Sequence, residues 1–153
     1  MIEVRPTIQG DAESLAPRMR EADRAEVKAA SGKHPYLALL EGIDCSEQAY
    51  TAAVDGEPMA IFGVCPTDNP SVGVVWLLGS DVISTHRIDF LRKSKDWVDH
   101  FQSRYPVLCN AIDARNTVHI RWLQWLGFTF IQELPNHGVE NRLFYQFVRI
   151  HNV

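Results

Sequence analysis

Hydrophobic and polar residues alternate in a way that divides the first third of the chain into one strand and two helices. Residues 1–5 alternate between apolar and polar side chains and predict a short strand. Asp11 is a suitable N-cap for a helix that we expect to run to about Ser31, with Gly32 as its stop. Pro17 has to lie in or near the first turn, because a proline deeper in the helix would break it. A second, short helix is expected over residues 35–42.

The middle of the chain has the pattern of a hairpin followed by a central strand. Residues 49–54 and 58–64 are apolar runs on either side of Asp55-Gly56, and this pair favours a tight turn because glycine adopts a positive φ at little cost. Residues 72–78 form a continuous apolar run with β-branched side chains, which is typical of a strand buried on both faces.

Helix and strand patterns alternate in the second half. We expect the longest helix over residues 84–105, a buried strand over 107–112, a helix over 116–126, and two final strands over 128–134 and 142–150. A strand–helix–strand unit is parallel with a right-handed crossover, whereas hairpin-linked strands are antiparallel. The predicted fold is therefore α/β of the α+β kind, with a mixed, mostly antiparallel sheet and helices on both faces.

Composition narrows the class of protein. The 153 residues are 46% hydrophobic and 22% charged, which predicts a single globular domain over residues 1–153. The net charge of −4 argues against nucleic acid as a partner. The three cysteines form no metal or disulfide motif, and no signal peptide or membrane span is visible, so we expect a cytoplasmic protein without a metal site.

One segment carries a family resemblance. In "IDARNTVHIRWLQWLGF", Ile112 is followed by Asn116, a helix, and then Gly127 and Phe128. Together with the opening "EVRPTIQGDAESL" and the hairpin "AYTAAVDGEPMAIFGV", this resembles the GNAT superfamily of acyl-CoA-dependent N-acyltransferases. The sequence of residues 76–98 and 115–128 also resembles GNAT-like proteins of short-tailed bacteriophages, some of which are internal virion proteins.

The resemblance implies acetyl-CoA as the co-substrate and an amine, of unknown identity, as the acceptor. In that family the fourth and fifth strands splay apart, and the pantetheine arm enters the gap like an extra strand. The strand contacts are then expected from Leu77, Leu78 and Gly79. The phosphates are expected at Ser84, Thr85, His86 and Arg87, near a helix N-terminus. Asn116 is expected beside the pantetheine or the thiol.

Two departures from the family pattern bear on catalysis. The family's glycine-rich phosphate loop has no counterpart, since residues 82–88 contain no glycine. The tyrosine that often protonates the thiolate is replaced by Leu123. His119, one turn after Asn116, is the candidate acid, and Asp81 or Asp113, at strand ends, is a candidate base for the amine.

Each of these residues also has a structural interpretation. Trp122 and Trp125 are expected to pack the helix on the sheet, and His119 is equally compatible with a helix-surface histidine. The whole chain is open to three interpretations. It is a monomeric or homodimeric acetyltransferase, an inactive phage virion component or binding module, or a phage enzyme that acetylates a host protein.

Overall fold

The computed structural model describes residues 1–151, and within them seven strands form one sheet. The strands are β1 (Ile2–Pro6), β2 (Tyr50–Val54), β3 (Glu57–Pro66), β4 (Val72–Gly79), β5 (Val107–Asp113), β6 (Thr129–His137) and β7 (Arg142–Ile150). Their order across the sheet is β1-β2-β3-β4-β5-β7-β6, and β4 and β5 are the parallel pair among antiparallel neighbours. The predicted mixed sheet is confirmed.

Helices cover both faces of the sheet. They are α1 (Asp11–Leu15), α2 (Glu21–Ser31), α3 (Pro35–Cys45), α4 (Val82–Thr85), α5 (Arg87–Arg104) and α6 (Thr117–Trp125). One apolar cluster joins α1, α2 and α3 to Ile61 and Leu78. The other joins α5 and α6 to the opposite face, where Phe90, Phe101 and Trp122 are buried.

The turn chemistry read from the sequence is found where it was expected. Asp55 and Gly56 both have positive φ, of 51° and 82°, in the two-residue turn between β2 and β3. Gly127 ends α6 with a φ of 89°, which lets the chain reverse into β6.

Two predicted helices are in fact broken. The helix expected from Asp11 to Ser31 is interrupted by a 3₁₀ turn, Ala16–Arg18, and by Met19, which bridges to Ser80 at the end of β4. Pro17 lies at the start of that turn, where its missing N–H costs nothing. The helix expected over residues 84–105 is likewise divided into α4 and α5.

Burial also differs from two expectations. Trp122 is buried, but Trp125 is 54% exposed, so the second tryptophan was wrongly assigned to the core. In β4, Gly73 and Leu78 are buried while Val74 to Leu77 are only half-buried. The strand is central, yet part of it lies beside an opening rather than beside packed neighbours.

Candidate active site

The opening lies between β4 and β5. Their parallel pairing covers only Val72–Val74 of β4, whereas β3 pairs with Gly73–Gly79 of β4, and β7 pairs with the whole of β5. At the point where the pairing ends, Asn110 of β5 donates its side-chain Nδ2–H to the carbonyl of Val75 at 2.7 Å. Beyond that bridge the two strands part, and the splay that the family resemblance implies is present.

A cavity of about 450 Å³ occupies this gap. Its walls reach both faces of the sheet, with α2 and α3 at one end and α5 and α6 at the other. Most of the lining is apolar, and the polar side chains among it include Glu26 and His119. This volume and lining are within the ordinary range for small-molecule sites.

Of the three residues of β4 expected to contact a ligand, not all have peptide groups free to form hydrogen bonds in the gap. The β3–β4 register has no shift, so alternate residues of β4 turn their peptide groups toward β5. Gly79 faces that way, but its N–H donates to Asp23 at 3.0 Å and its carbonyl accepts from the Arg20 N–H at 2.8 Å. Leu78 faces β3, where it is opposite Ile61. Leu77 is therefore the position whose peptide groups face the gap.

A buried polar network joins α2 to the ends of β4 and β5. Asp23, 1% exposed, forms an ion pair with Arg20 at 3.1 Å and also accepts the Gly79 amide. Asn116, also 1% exposed, donates Nδ2–H to Asp23 at 3.1 Å and to Glu26 at 3.3 Å. Arg20 in turn lies over the ring of Trp122 at 5.4 Å. The network fixes α2 against the site.

Asn116 thus lies behind the cavity wall and contributes to the α2 network. Although it occupies the N-cap position of α6, its side chain does not cap the helix. Its Oδ1 is buried and has no hydrogen-bond partner within the described residues, which is costly for a buried amide. Asn116 beside a pantetheine or a thiol stays a prediction.

His119 lines the cavity, as a catalytic candidate has to. Burial lowers the pKa of His119 below its ordinary value, and the charge of Arg20 adds to this while Asp23 opposes it. Its Nδ1 is buried without a partner in the described part of the chain. A histidine held neutral in this way is a poor proton donor, so the geometry offers little for the acid role.

The two aspartates considered as bases lie elsewhere. Asp81 is exposed, next to the start of α4, and does not line the cavity. Asp113 is buried, and both of its carboxylate oxygens accept from Arg115, the shortest contact being 2.6 Å. Burial by itself would raise the pKa of Asp113, but the hydrogen bonds and charge of Arg115 hold it below its ordinary value.

The residues expected at the phosphates form the junction of α4 and α5. Ser84, Thr85 and Arg87 are exposed and His86 is half-buried, and none of them lines the cavity. Phe90, one turn further along α5, does line it. The junction is thus about one helical turn away, along the chain, from a residue that lines the cavity. It presents hydroxyl groups and a guanidinium to solvent.

Sequence reasoning missed Glu26, which lines the cavity from α2. Its Oε1 accepts the Asp113 amide at 3.0 Å as well as Asn116. Burial, followed by the charge of Asp23, raises the pKa of Glu26 from 4.5 to about 8. A signal was available, since Asp23 and Glu26 share the spacing of Val27 and Ala30 on the apolar face of α2.

Two further features are absent from residues 1–151. No cluster of three or more histidine, cysteine, aspartate or glutamate residues there could hold a metal ion. No helix in the same range is long and apolar enough to cross a membrane.

Sequence relatives identify the family. The family model described as "Bacteriophage T7, probable scaffold protein Gp13" matches residues 48–135. The "Probable scaffold protein gp13" of Escherichia phage T7 is 30% identical over 142 residues, which cover 90% of this chain and 92% of that protein. The chain belongs to the phage T7 Gp13 family.

Solved structures similar to this Gp13-family chain are GNAT acetyltransferases. The ribosomal-protein-S18-alanine N-acetyltransferase of Escherichia coli has a TM-score of 0.73 at 11% identity, covering 100% of this chain and 96% of its own. A GCN5-related N-acetyltransferase of Kribbella flavida has a TM-score of 0.72 at 18% identity, covering 98% of both chains. The Bacillus subtilis acetyltransferase in complex with CoA has a TM-score of 0.70 at 9% identity, covering 99% and 100%. The Gp13-family chain has the GNAT fold.

Proposed function

We propose that the cavity between β4 and β5 binds an acyl-CoA and that the chain transfers the acyl group, an acetyl group in the simplest case, to an amine. The observation that carries this proposal is the short β4–β5 pairing, which ends at Val74 and leaves an apolar cavity of about 450 Å³ beside an open strand edge. A pantetheine arm carries amide groups that pair with such an edge and an apolar linker that fits the walls.

The reaction needs no covalent intermediate with the protein. The amine attacks the thioester carbonyl, and the peptide N–H of Leu77, which faces the gap, is in place to donate to the oxyanion. The leaving thiolate takes its proton from water, because Leu123 is apolar and the lowered pKa of His119 leaves little of it in the protonated form that could donate. The pyrophosphate lies outside the cavity, at the exposed Ser84, Thr85 and Arg87.

The fold relatives favour this proposal. They are acetyltransferases, and one of them is in complex with CoA. At 9–18% identity these relatives show the fold alone, so support for the cofactor and the reaction comes mainly from the geometry of the gap.

A second candidate is an assembly protein that keeps the fold without transferring acyl groups. The relationship to a probable scaffold protein of phage T7 favours it. So does the hydrogen bonding of Gly79, whose peptide groups are both taken by α2. Such a protein is found in purified particles or bound to capsid proteins in the host cytoplasm, as a monomer or homodimer, and has no affinity for CoA.

Calorimetric titration with acetyl-CoA and with CoA tests the proposal. Ser94 of α5 lines the cavity, so Ser94→Trp fills part of it, whereas Gln124 is exposed on α6 and Gln124→Trp serves as the matched control. We expect the wild type and the control to bind with millimolar or tighter affinity and the filled variant to bind at least about tenfold more weakly. A folded wild type that binds neither ligand would leave the assembly role as the better account.

A further inference from the structure

Glu26 is a half-buried carboxyl group on α2. It lies on the inner face of α2 and lines the end of the cavity opposite α5 and α6. Its Oε1 is fixed by the Asp113 amide at 3.0 Å and by Asn116 Nδ2 at 3.3 Å. No group in residues 1–151 donates to its Oε2. The hydrogen bonds to Oε1 therefore fix the orientation of the carboxyl group, and Oε2 is available to accept from a ligand.

The cavity around Glu26 combines apolar walls with one carboxyl group, which suits the amino end of an alkylamine. Val27, Ala30 and Ala38 provide apolar walls at this end of the cavity, and the carboxyl is a polar group among them. An amine on an aliphatic chain matches this combination, since its methylene groups contact the walls and its nitrogen donates to the carboxyl.

Two further polar atoms of this region have no hydrogen-bond partner. Asn116 Oδ1 and His119 Nδ1 are buried and unpaired among residues 1–151. Buried polar atoms without partners are uncommon, and each requires a physical reason, such as a bound water or a ligand. His119 lines the same cavity as Glu26, and Asn116 is bonded to Glu26 directly.

We propose that Glu26 receives the acceptor of the transfer reaction, a primary alkylamine, and takes up its proton. This inference rests on the proposed function for the chemical step, but binding of the amine does not depend on acyl-CoA. A free alkylamine and a lysine side chain present the same chemistry, and both are included in the test.

The step balances as follows. The amine enters as an ammonium ion, and the Glu26 carboxylate accepts one of its protons to leave a neutral nitrogen with a lone pair. That lone pair forms the C–N bond to the thioester carbonyl carbon, and the C–S bond breaks. The second nitrogen proton passes through water to the departing thiolate, and Glu26 releases its own proton to solvent. The products are an amide, a free thiol and one proton.

The titration of Glu26 agrees with this role. Burial and Asp23 raise the pKa of Glu26 to about 8, so its basic form becomes populated between pH 7 and pH 9. The charged and titratable groups of the surrounding network are Arg20, Asp23, Asp113, Arg115 and His119. The cavity is also lined by Lys93, His137 and the ion pair of Lys33 with Glu41.

The test separates proton transfer from a purely structural role. Glu26→Gln keeps an acceptor oxygen for Asp113 and Asn116 but cannot take a proton at working pH. Glu21→Gln is the matched control, being the same change on the exposed start of α2. If Glu26→Gln is not folded by circular dichroism, Glu26→Asp provides the measurement, since it keeps a titratable carboxyl but draws it back from the cavity.

The first measurement is binding without acyl-CoA. n-Butylamine and an N-acetylated, amidated Ala-Lys-Ala peptide are titrated at pH 8.5 and followed by NMR shifts. We expect the wild type and Glu21→Gln to bind at least one probe, and Glu26→Gln or Glu26→Asp to bind it about tenfold more weakly. Binding of the peptide alone would assign a protein lysine as the acceptor. Equal binding by the Glu26 variants, or none by the wild type, would overturn the proposal.

The second measurement is turnover with acetyl-CoA. We expect the kcat/KM of the wild type to rise through pH 7 to 9 and then level off, and that of Glu26→Gln to be about 100-fold lower and to lack this rise. Glu26→Asp is expected to keep the rise. An unchanged rate and pH profile in Glu26→Gln would overturn the role of Glu26. Amine binding without any turnover by the wild type would instead contradict the proposed transfer and leave the amine site standing.

Discussion

The two ends of the candidate site are built differently. At the α2 end, Asp23 and Asn116 are each 1% exposed and are held by hydrogen bonds from α2, β4 and the segment before α6. At the junction of α4 and α5, Ser84, Thr85 and Arg87 are exposed. Geometry at the first end is fixed by folding, whereas we expect the exposed side chains at the second end to become ordered when a ligand binds.

This difference predicts that substitutions at the α2 end change the free energy of unfolding, whereas substitutions at the junction change the affinity for acetyl-CoA. The distinction would be lost if a substitution at the junction also changed stability. It would equally be lost if a substitution at the α2 end changed neither quantity. Three measurements test it, beginning with the largest effect.

Asp23→Ala is expected to lower the free energy of unfolding by about 3–5 kcal/mol, because it leaves the buried Arg20 without its ion-pair partner. It also leaves the Gly79 N–H without an acceptor. Urea unfolding measures the change. Asp81→Ala, the same substitution at an exposed site, is expected to cost less than about 0.5 kcal/mol. Equal losses in the two variants would show that the α2 network contributes nothing to stability.

Glu26→Gln is expected to gain stability relative to the wild type as the pH rises. The pKa of Glu26 is about 8 in the folded chain against 4.5 as the ordinary value, so its contribution is present below pH 4.5 and is lost as the pH rises through 8. One pKa unit corresponds to about 1.4 kcal/mol, and water in the cavity reduces the full effect, so we expect a gain of about 3 kcal/mol between pH 5 and pH 9.

Urea unfolding at pH 5 and pH 9 measures this gain, and the control Glu21→Gln is expected to show no such change in stability with pH. A difference between Glu26→Gln and the wild type that does not change with pH would mean that Glu26 titrates normally. It would then be in contact with bulk water in solution.

Arg87→Ala is expected to weaken acetyl-CoA binding about tenfold, or about 1.4 kcal/mol, if the phosphates lie at the junction. Because Arg87 is exposed, the change in unfolding free energy is expected to stay below about 0.5 kcal/mol. Arg92→Ala, at another exposed position of α5, controls for the loss of one positive charge. If both variants weaken binding equally, the attraction is a general field and not a phosphate contact.

The sequence predicted the sheet well because local chemistry decides most of it. Asp55-Gly56 favours one turn, Gly127 favours one helix stop, and the apolar run ending at Leu78 favours a strand. The break between α1 and α2 has a different origin. Met19 bridges to Ser80 and Arg20 donates to Gly79, and both partners lie about 60 residues away along the chain.

The site was harder to predict from the sequence, because its geometry also depends on contacts between residues that are far apart along the chain. Asn116 holds the position that the family resemblance implies, but the direction of its side chain depends on Asp23 and Glu26 of another helix. The available signal was the pair of acidic residues, Asp23 and Glu26, on the apolar face of α2.

The bridge from Asn110 to Val75 also determines how the gap is hydrated. Beyond that bridge the peptide groups of Leu77 have no neighbouring strand, so in the empty protein they require water, although the walls around them are apolar. A ligand that pairs with this edge releases that water and covers apolar surface in one event. Its binding is therefore expected to have a negative change in heat capacity, a property set by the point at which two strands stop pairing.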